Sequence, residues 1–93
     1  MRILLVEDDL PLAEALTTLL AGAGYAIDCT HDGLSAEALI GAERFDLLIL
    51  DLNLPEKDGF SVLRSLRARK NPVPVLILTA RGAPDERVLG LDL

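Results

Sequence analysis

Four short aliphatic runs recur along the chain, and the stretches between them carry apolar residues at helical spacing. Ile3 to Val6 is continuously aliphatic, the pattern of a strand covered on both faces. Asp9 then stands as the N-cap of a helix whose first turn tolerates Pro11, because first-turn amides have no intrahelical partner. Leu12, Leu16, Leu19 and Leu20 form its apolar stripe, and Gly22 and Gly24 stop it. Tyr25 to Thr30 alternates imperfectly and reads as a shorter, more exposed strand closed by the turn pair Asp32-Gly33. Ala36, Leu39 and Ile40 mark a second helix. Leu47 to Leu50 is the most apolar strand, and it ends abruptly in Asp51. After the loop from Asp51 to Gly59 comes a third helix, with Val62, Leu63 and Leu66 facing inward and Asn71-Pro72 ending it. Pro74 precedes a fourth strand, Val75 to Leu78. Pro84, Asp85 and Glu86 open a predicted fourth helix running through Val88, Leu89 and Leu91.

Strands alternating with helices predict an α/β domain with right-handed crossovers and a parallel sheet covered on both faces. Composition fits that interior: hydrophobic residues make up 51% of the chain but aromatic residues only 3%, so the core is built from Leu, Val, Ile and Ala. Ninety-three residues suit one small domain. No apolar stretch approaches the roughly 20 residues of a membrane helix, and Met1 to Val6 is too short for a signal-peptide core. A soluble, cytoplasmic protein without membrane association is expected. The lone Cys29 cannot form an internal disulfide, which agrees with a reducing compartment.

Charge narrows the function classes. A net charge of -6 opposes direct nucleic-acid binding, which needs a clustered positive surface. Arg64, Arg67, Arg69 and Lys70 gather near the end of the third helix, where they complement its dipole. His31 reads as a surface turn residue, placed away from every strand C-terminus but its own.

In a parallel sheet the C-terminal ends of all strands share one edge, where open α/β proteins keep their sites. Glu7 and Asp8 follow the first strand, Asp51 ends the third, and Thr79 with Ala80 leaves the fourth. Three acids in one cleft repel one another unless a cation is present. Mg2+ favours a few hard oxygen ligands and retains water, so it suits this set better than Ca2+, which takes more protein oxygens. An aspartate can attack a phosphoryl donor and form an acyl phosphate, and Asp51 is the residue best placed to do so. Thr79 could then hydrogen-bond the transferred group. Pro55 and Gly59 shape the loop beyond Asp51.

The string Leu4-Leu5-Val6-Glu7-Asp8-Asp9, the block Asp51-Leu52-Asn53-Leu54-Pro55 with Asp58-Gly59, and Leu78-Thr79-Ala80 together resemble the response-regulator receiver family of two-component systems. The likeness is greatest to transcription regulators with a winged-helix output domain (OmpR/PhoB-type). It implies a flavodoxin-like (CheY-like) doubly wound sheet with strand order 2-1-3-4. It also implies Asp51 as phosphoacceptor, and Mg2+ held by Asp8, Asp51, the Asn53 main-chain carbonyl and, through water, Glu7. Thr79 would be the switch hydroxyl, Ala80 would contribute its backbone, and a histidine kinase or a small acyl phosphate would be the donor. The family's lysine-proline pair on a fifth strand, and its fifth helix, have no counterpart here, since Lys57 and Lys70 sit in other elements. Residues 1–93 therefore read as an incomplete receiver of four strand-helix units without an effector domain. Its fourth strand is then an open edge inviting homo-oligomers or exchange of elements.

Two other functions are weighed. A phosphorylation-independent interaction fragment would keep the sheet but not the switch. An aspartate-nucleophile phosphatase of the haloacid-dehalogenase type would need a second Asp two residues after the nucleophile, where Asn53 stands. A dinucleotide-binding site is excluded by the absence of Gly-x-Gly-x-x-Gly after the first strand.

Overall fold

The computed structural model describes residues 1–54, 58–79 and 88–92, with backbone alone for Thr79 and 88–92. The elements run β1 (Arg2–Val6), α1 (Leu10–Gly22), β2 (Ala26–Thr30), α2 (Gly33–Ala42), β3 (Leu47–Asp51), α3 (Gly59–Ala68), β4 (Val75–Thr79) and β5 (Val88–Asp92). The first four strands are parallel in the order β2-β1-β3-β4, as expected.

Alternate residues of a strand face opposite sides of the sheet, and the two sides are sealed differently. Leu4 and Val6 of β1, Leu48 and Leu50 of β3 and Val75 of β4 meet Ala36 of α2 and Val62 and Leu66 of α3. Ile3, Leu5 and Ile49 face the other way, against Ala13, Leu16 and Leu20 of α1. The continuous aliphatic runs of β1 and β3 are thus explained, since neither face is left to solvent. The edge strand β2 is only partly buried, in keeping with its imperfect alternation.

Each helix begins just beyond the C-terminal end of a strand and is capped there by an aspartate. Asp9 Oδ1 accepts from the Leu12 amide at 3.2 Å, Asp32 Oδ1 from Ser35 at 2.7 Å, and Asp58 Oδ1 from Ser61 at 2.8 Å. The pair Asp32-Gly33 is therefore not a free turn but the start of α2. The Ser35 amide, with its hydroxyl, holds the Asp32 carboxyl below its ordinary pKa. The Ser61 amide does the same for Asp58. A carboxyl whose pKa is lower folded than unfolded stabilises the fold above the unfolded value, and that contribution disappears as pH falls through the folded value. The variant carrying both Asp32→Asn and Asp58→Asn keeps the capping acceptors. It is expected to lose less stability than the parent as pH drops below the ordinary carboxylate value of about 3.9, measured as the shift in urea midpoint between neutral and acid solution.

At the end of α3, Arg67 Nη1 donates to the Asn71 and Val73 carbonyls, each at 2.9 Å. One member of the basic group thereby closes a helix end. Lys70 takes the left-handed conformation, φ 58°, and the Asn71 amide reaches back to the Leu66 carbonyl at 3.1 Å, a Schellman-type finish.

The prediction of a fourth helix through Val88, Leu89 and Leu91 is corrected. Val88 to Asp92 form β5, antiparallel to β4 with Leu78 beside Leu89 and Leu76 beside Leu91. The edge of β4 offers a row of unpaired amides and carbonyls, while Gly90 costs a helix about 1 kcal/mol relative to Ala. Pairing satisfies the former and avoids the latter. The open β4 edge expected from the sequence is accordingly covered by the chain itself. Pro84, Asp85 and Glu86 lie outside the described residues.

Candidate acidic site at the sheet edge

Val6 and Leu50 lie side by side in the parallel β1–β3 pair, so the residues that follow them emerge at one point. Glu7, Asp8 and Asp51 each bring a carboxylate oxygen within 4.8 Å of the others. Glu7 is fully buried and Asp51 is 3% exposed, whereas Asp8 is open to solvent. The sequence placed these acids together but gave no sign that Glu7 would be fully enclosed.

Backbone donors orient two of the three. Glu7 Oε2 accepts from the Asp9 amide at 3.1 Å, and Asp51 Oδ1 accepts from the Asn53 amide at 3.0 Å. The Glu7 amide donates to the Thr30 carbonyl at 3.1 Å, tying the turn after β1 to the end of β2. The Leu52 amide donates to the Leu78 carbonyl at 3.3 Å, tying the end of β3 to β4.

His31 is an exposed bend residue as expected, but it lies beside the end of β1 rather than away from it. Its Nδ1 lies 3.0 Å from the Glu7 carbonyl oxygen, and a carbonyl can only accept, so Nδ1 carries the proton. The signal was present in the sequence: His31 directly follows the C-terminal residue of β2, and in a parallel sheet that end lies beside the end of β1. Cys29, half-buried on the α1 side, has its thiol pKa pushed up by burial.

Gly59 opens α3 pressed against the backbone of the acid-bearing loop. A Cβ there would overlap the Asp51 carbonyl oxygen and stand 2.7 Å from Leu52 Cα, and the Gly59 amide donates to the Leu52 carbonyl at 3.2 Å. Because the obstacle is backbone, it cannot rotate aside. Gly59→Ala is expected to cost about 1–3 kcal/mol, read as a lower urea midpoint with an unchanged slope. Asn53 is exposed beside the cluster. Thr79 ends β4 at this edge in backbone position; its side chain, like Pro55 and Ala80, falls outside the described residues.

The chain matches the family described as response regulator receiver domain over residues 3–93. It belongs to that family. This receiver is 46% identical over 93 residues to the transcriptional regulatory protein TctD of Salmonella typhimurium, covering all of this chain and 42% of TctD. It therefore spans less than half the length of that relative. Among solved structures, the Francisella response regulator 1452 receiver domain superposes with a TM-score of 0.85 at 30% identity, over 88% of this chain and 68% of that one. The response regulator TrrA of Thermotoga maritima, solved in complex with Mg2+-BeF, gives 0.82 at 33% identity, over 87% and 70%. No helix among the described residues is long and apolar enough to cross a membrane.

Proposed function

We propose that this receiver accepts a phosphoryl group on Asp51 from a histidine kinase and, within a longer transcription regulator, switches an output domain. The observation that carries this reading is the convergence of Glu7, Asp8 and Asp51, two of them buried, at the end of β3. Such a set of hard oxygen donors fits Mg2+. Glu7, Asp8 and Asp51 would hold the ion with the Asn53 carbonyl, Glu7 through water, and its charge would screen the incoming phosphoryl oxygens. The TrrA complex with Mg2+-BeF supports that assignment by likeness.

In the reaction one Asp51 carboxylate oxygen attacks phosphorus, the bond from phosphorus to the donor histidine nitrogen breaks, and an acyl phosphate forms on Asp51. The Asn53 amide, already donating to Oδ1, holds the carboxylate in place and leaves its other oxygen for the attack. The Thr79 hydroxyl would bond the transferred group, with the Ala80 amide beside it, and so bias the loops between two arrangements. The chemistry is transfer to the chain itself rather than turnover.

Incubation with acetyl phosphate and Mg2+, followed by intact mass measurement, tests this. A single phosphoryl adduct is expected, absent without Mg2+ and absent in Asp51→Asn. No adduct on the native chain would refute phosphotransfer and leave an interaction fragment as the better reading.

A further inference from the structure

The three clustered acids are not held alike. Glu7 accepts from the Asp9 amide and Asp51 from the Asn53 amide, but among the described residues no donor is bonded to the carboxylate of Asp8, which is exposed. The direction in which Asp8 points therefore depends on the backbone that carries it, and first of all on the peptide joining it to Glu7.

That peptide is anchored from β2. Strands β1 and β2 run in parallel register as far as Val6 beside Thr30, and the bond from the Glu7 amide to the Thr30 carbonyl, 3.1 Å, carries the pairing past the strand end. The chain then turns at Asp32 to cap α2. At this point the Glu7 carbonyl is met by a side chain, with His31 Nδ1 donating to it at 3.0 Å. Cys29 Sγ stands 4.0 Å from the same nitrogen, too distant and too weak an acceptor to draw the proton away from a carbonyl. Because a peptide unit is planar, holding its oxygen also sets the orientation of the Asp8 amide and Cα. Amide and carbonyl of Glu7 are thus tied to consecutive residues of one neighbouring segment, which leaves the turn little freedom to swing Asp8 away from Asp51. The His31 ring is not among the groups whose ligand atoms gather within 4.8 Å, so it acts through the backbone and not as a ligand.

We propose that His31 is a positioning residue for the metal site: its Nδ1 proton, bonded to the Glu7 carbonyl, holds the peptide between the two acids and so strengthens Mg2+ binding by Asp8 and Asp51. The inference rests on the metal reading of the acid cluster given above. Groups that orient metal ligands from behind commonly change affinity tenfold or more. A single hydrogen bond to the backbone at an exposed position is worth less, about 2- to 10-fold.

Calorimetric titration of the full chain with Mg2+ tests the proposal through two variants. In His31→Asn the side-chain amide nitrogen takes the place of Nδ1, since both atoms are bonded to Cγ, whereas His31→Leu fills similar space without a donor. The expected result is a Mg2+ dissociation constant raised about 2- to 10-fold in His31→Leu and close to the native value in His31→Asn. Urea unfolding in chelator reads any general loss of stability separately. Equal Mg2+ affinity in the native chain and His31→Leu, whatever their urea midpoints, would overturn the inference. So would equal weakening in both variants, which would make the ring's bulk and not its donor the cause. The tautomer supplies a check that needs no metal: long-range proton–nitrogen NMR of the native chain with a neutral ring should show the Nδ1-protonated form, and predominance of the Nε2-protonated form would refute the bond. A native chain that binds no Mg2+ would bring down the metal reading and the inference together, whereas failure in the variants or in the tautomer alone would leave that reading standing.

Discussion

Asp51→Asn is expected to melt at a higher temperature than the native chain when both are held in a metal chelator, and to respond little to added Mg2+. The reason is the confinement of three carboxylates within 4.8 Å, two of them buried. At an effective permittivity of about 20, two unit charges so close repel by roughly 3 kcal/mol. The exposure of Asp8 and the amides that bond Glu7 and Asp51 offset part of this. A net gain on the order of 1–3 kcal/mol is therefore expected when one charge is removed. Asparagine preserves the acceptor for the Asn53 amide, so the loop keeps its anchor. In the native chain the proposed Mg2+ ion would offset the repulsion, and a ligand at a hundredfold its dissociation constant adds about 2.7 kcal/mol. Adding Mg2+ should then narrow or invert the ranking of the two proteins. A variant that melts below the native chain in chelator, or rises equally with Mg2+, would count against the cluster as a metal site.

The second large effect is expected from Leu50→Ala. Leu50 is fully buried in the central strand, in the cluster that joins β1, β3, β4, α2 and α3. Strand neighbours on both sides limit how far the site can collapse, so the truncation should cost about 2–5 kcal/mol. Small domains have only about 5–15 kcal/mol in total, so the urea midpoint should fall by a large fraction. Leu34→Ala, at an exposed position, should change it by no more than about 0.5 kcal/mol. Equal losses at the two positions would mean that the core is assembled differently.

Most of the fold was legible because its signals are local. Uninterrupted aliphatic runs announced β1, β3 and β4, and Asp9 followed by Pro11 announced the start of α1. The acids of the site could be brought together from strand order alone. What escaped was decided by distant neighbours. The burial of Glu7 is a tertiary property, and nothing in Val6-Glu7-Asp8 distinguishes a solvated acid from an enclosed one. The contact of His31 with the Glu7 carbonyl required the parallel pairing of β1 with β2 to be applied to a residue outside either strand. The fate of Val88 to Asp92 was ambiguous in itself, since the apolar positions 88, 89 and 91 suit a helix or a strand. The free edge of β4 tips the balance. For Gly59 the sequence indicates a turn or helix start, but the backbone pressed against it is visible only in three dimensions.

The strand order also has a temporal side. β1 is made first yet sits between β2 and β3, with Ile3 beside Leu47. Bringing those two together closes a loop that contains α1, β2 and α2, at an entropic cost that must be met before the β1–β3 contacts form. The hairpin-like pairing of β4 with β5 closes a far shorter span and should form faster. Glu7 and Asp8 therefore meet Asp51 only when the longest-range pairing in the sheet is complete, so the metal binding proposed for the acid cluster would report on that step.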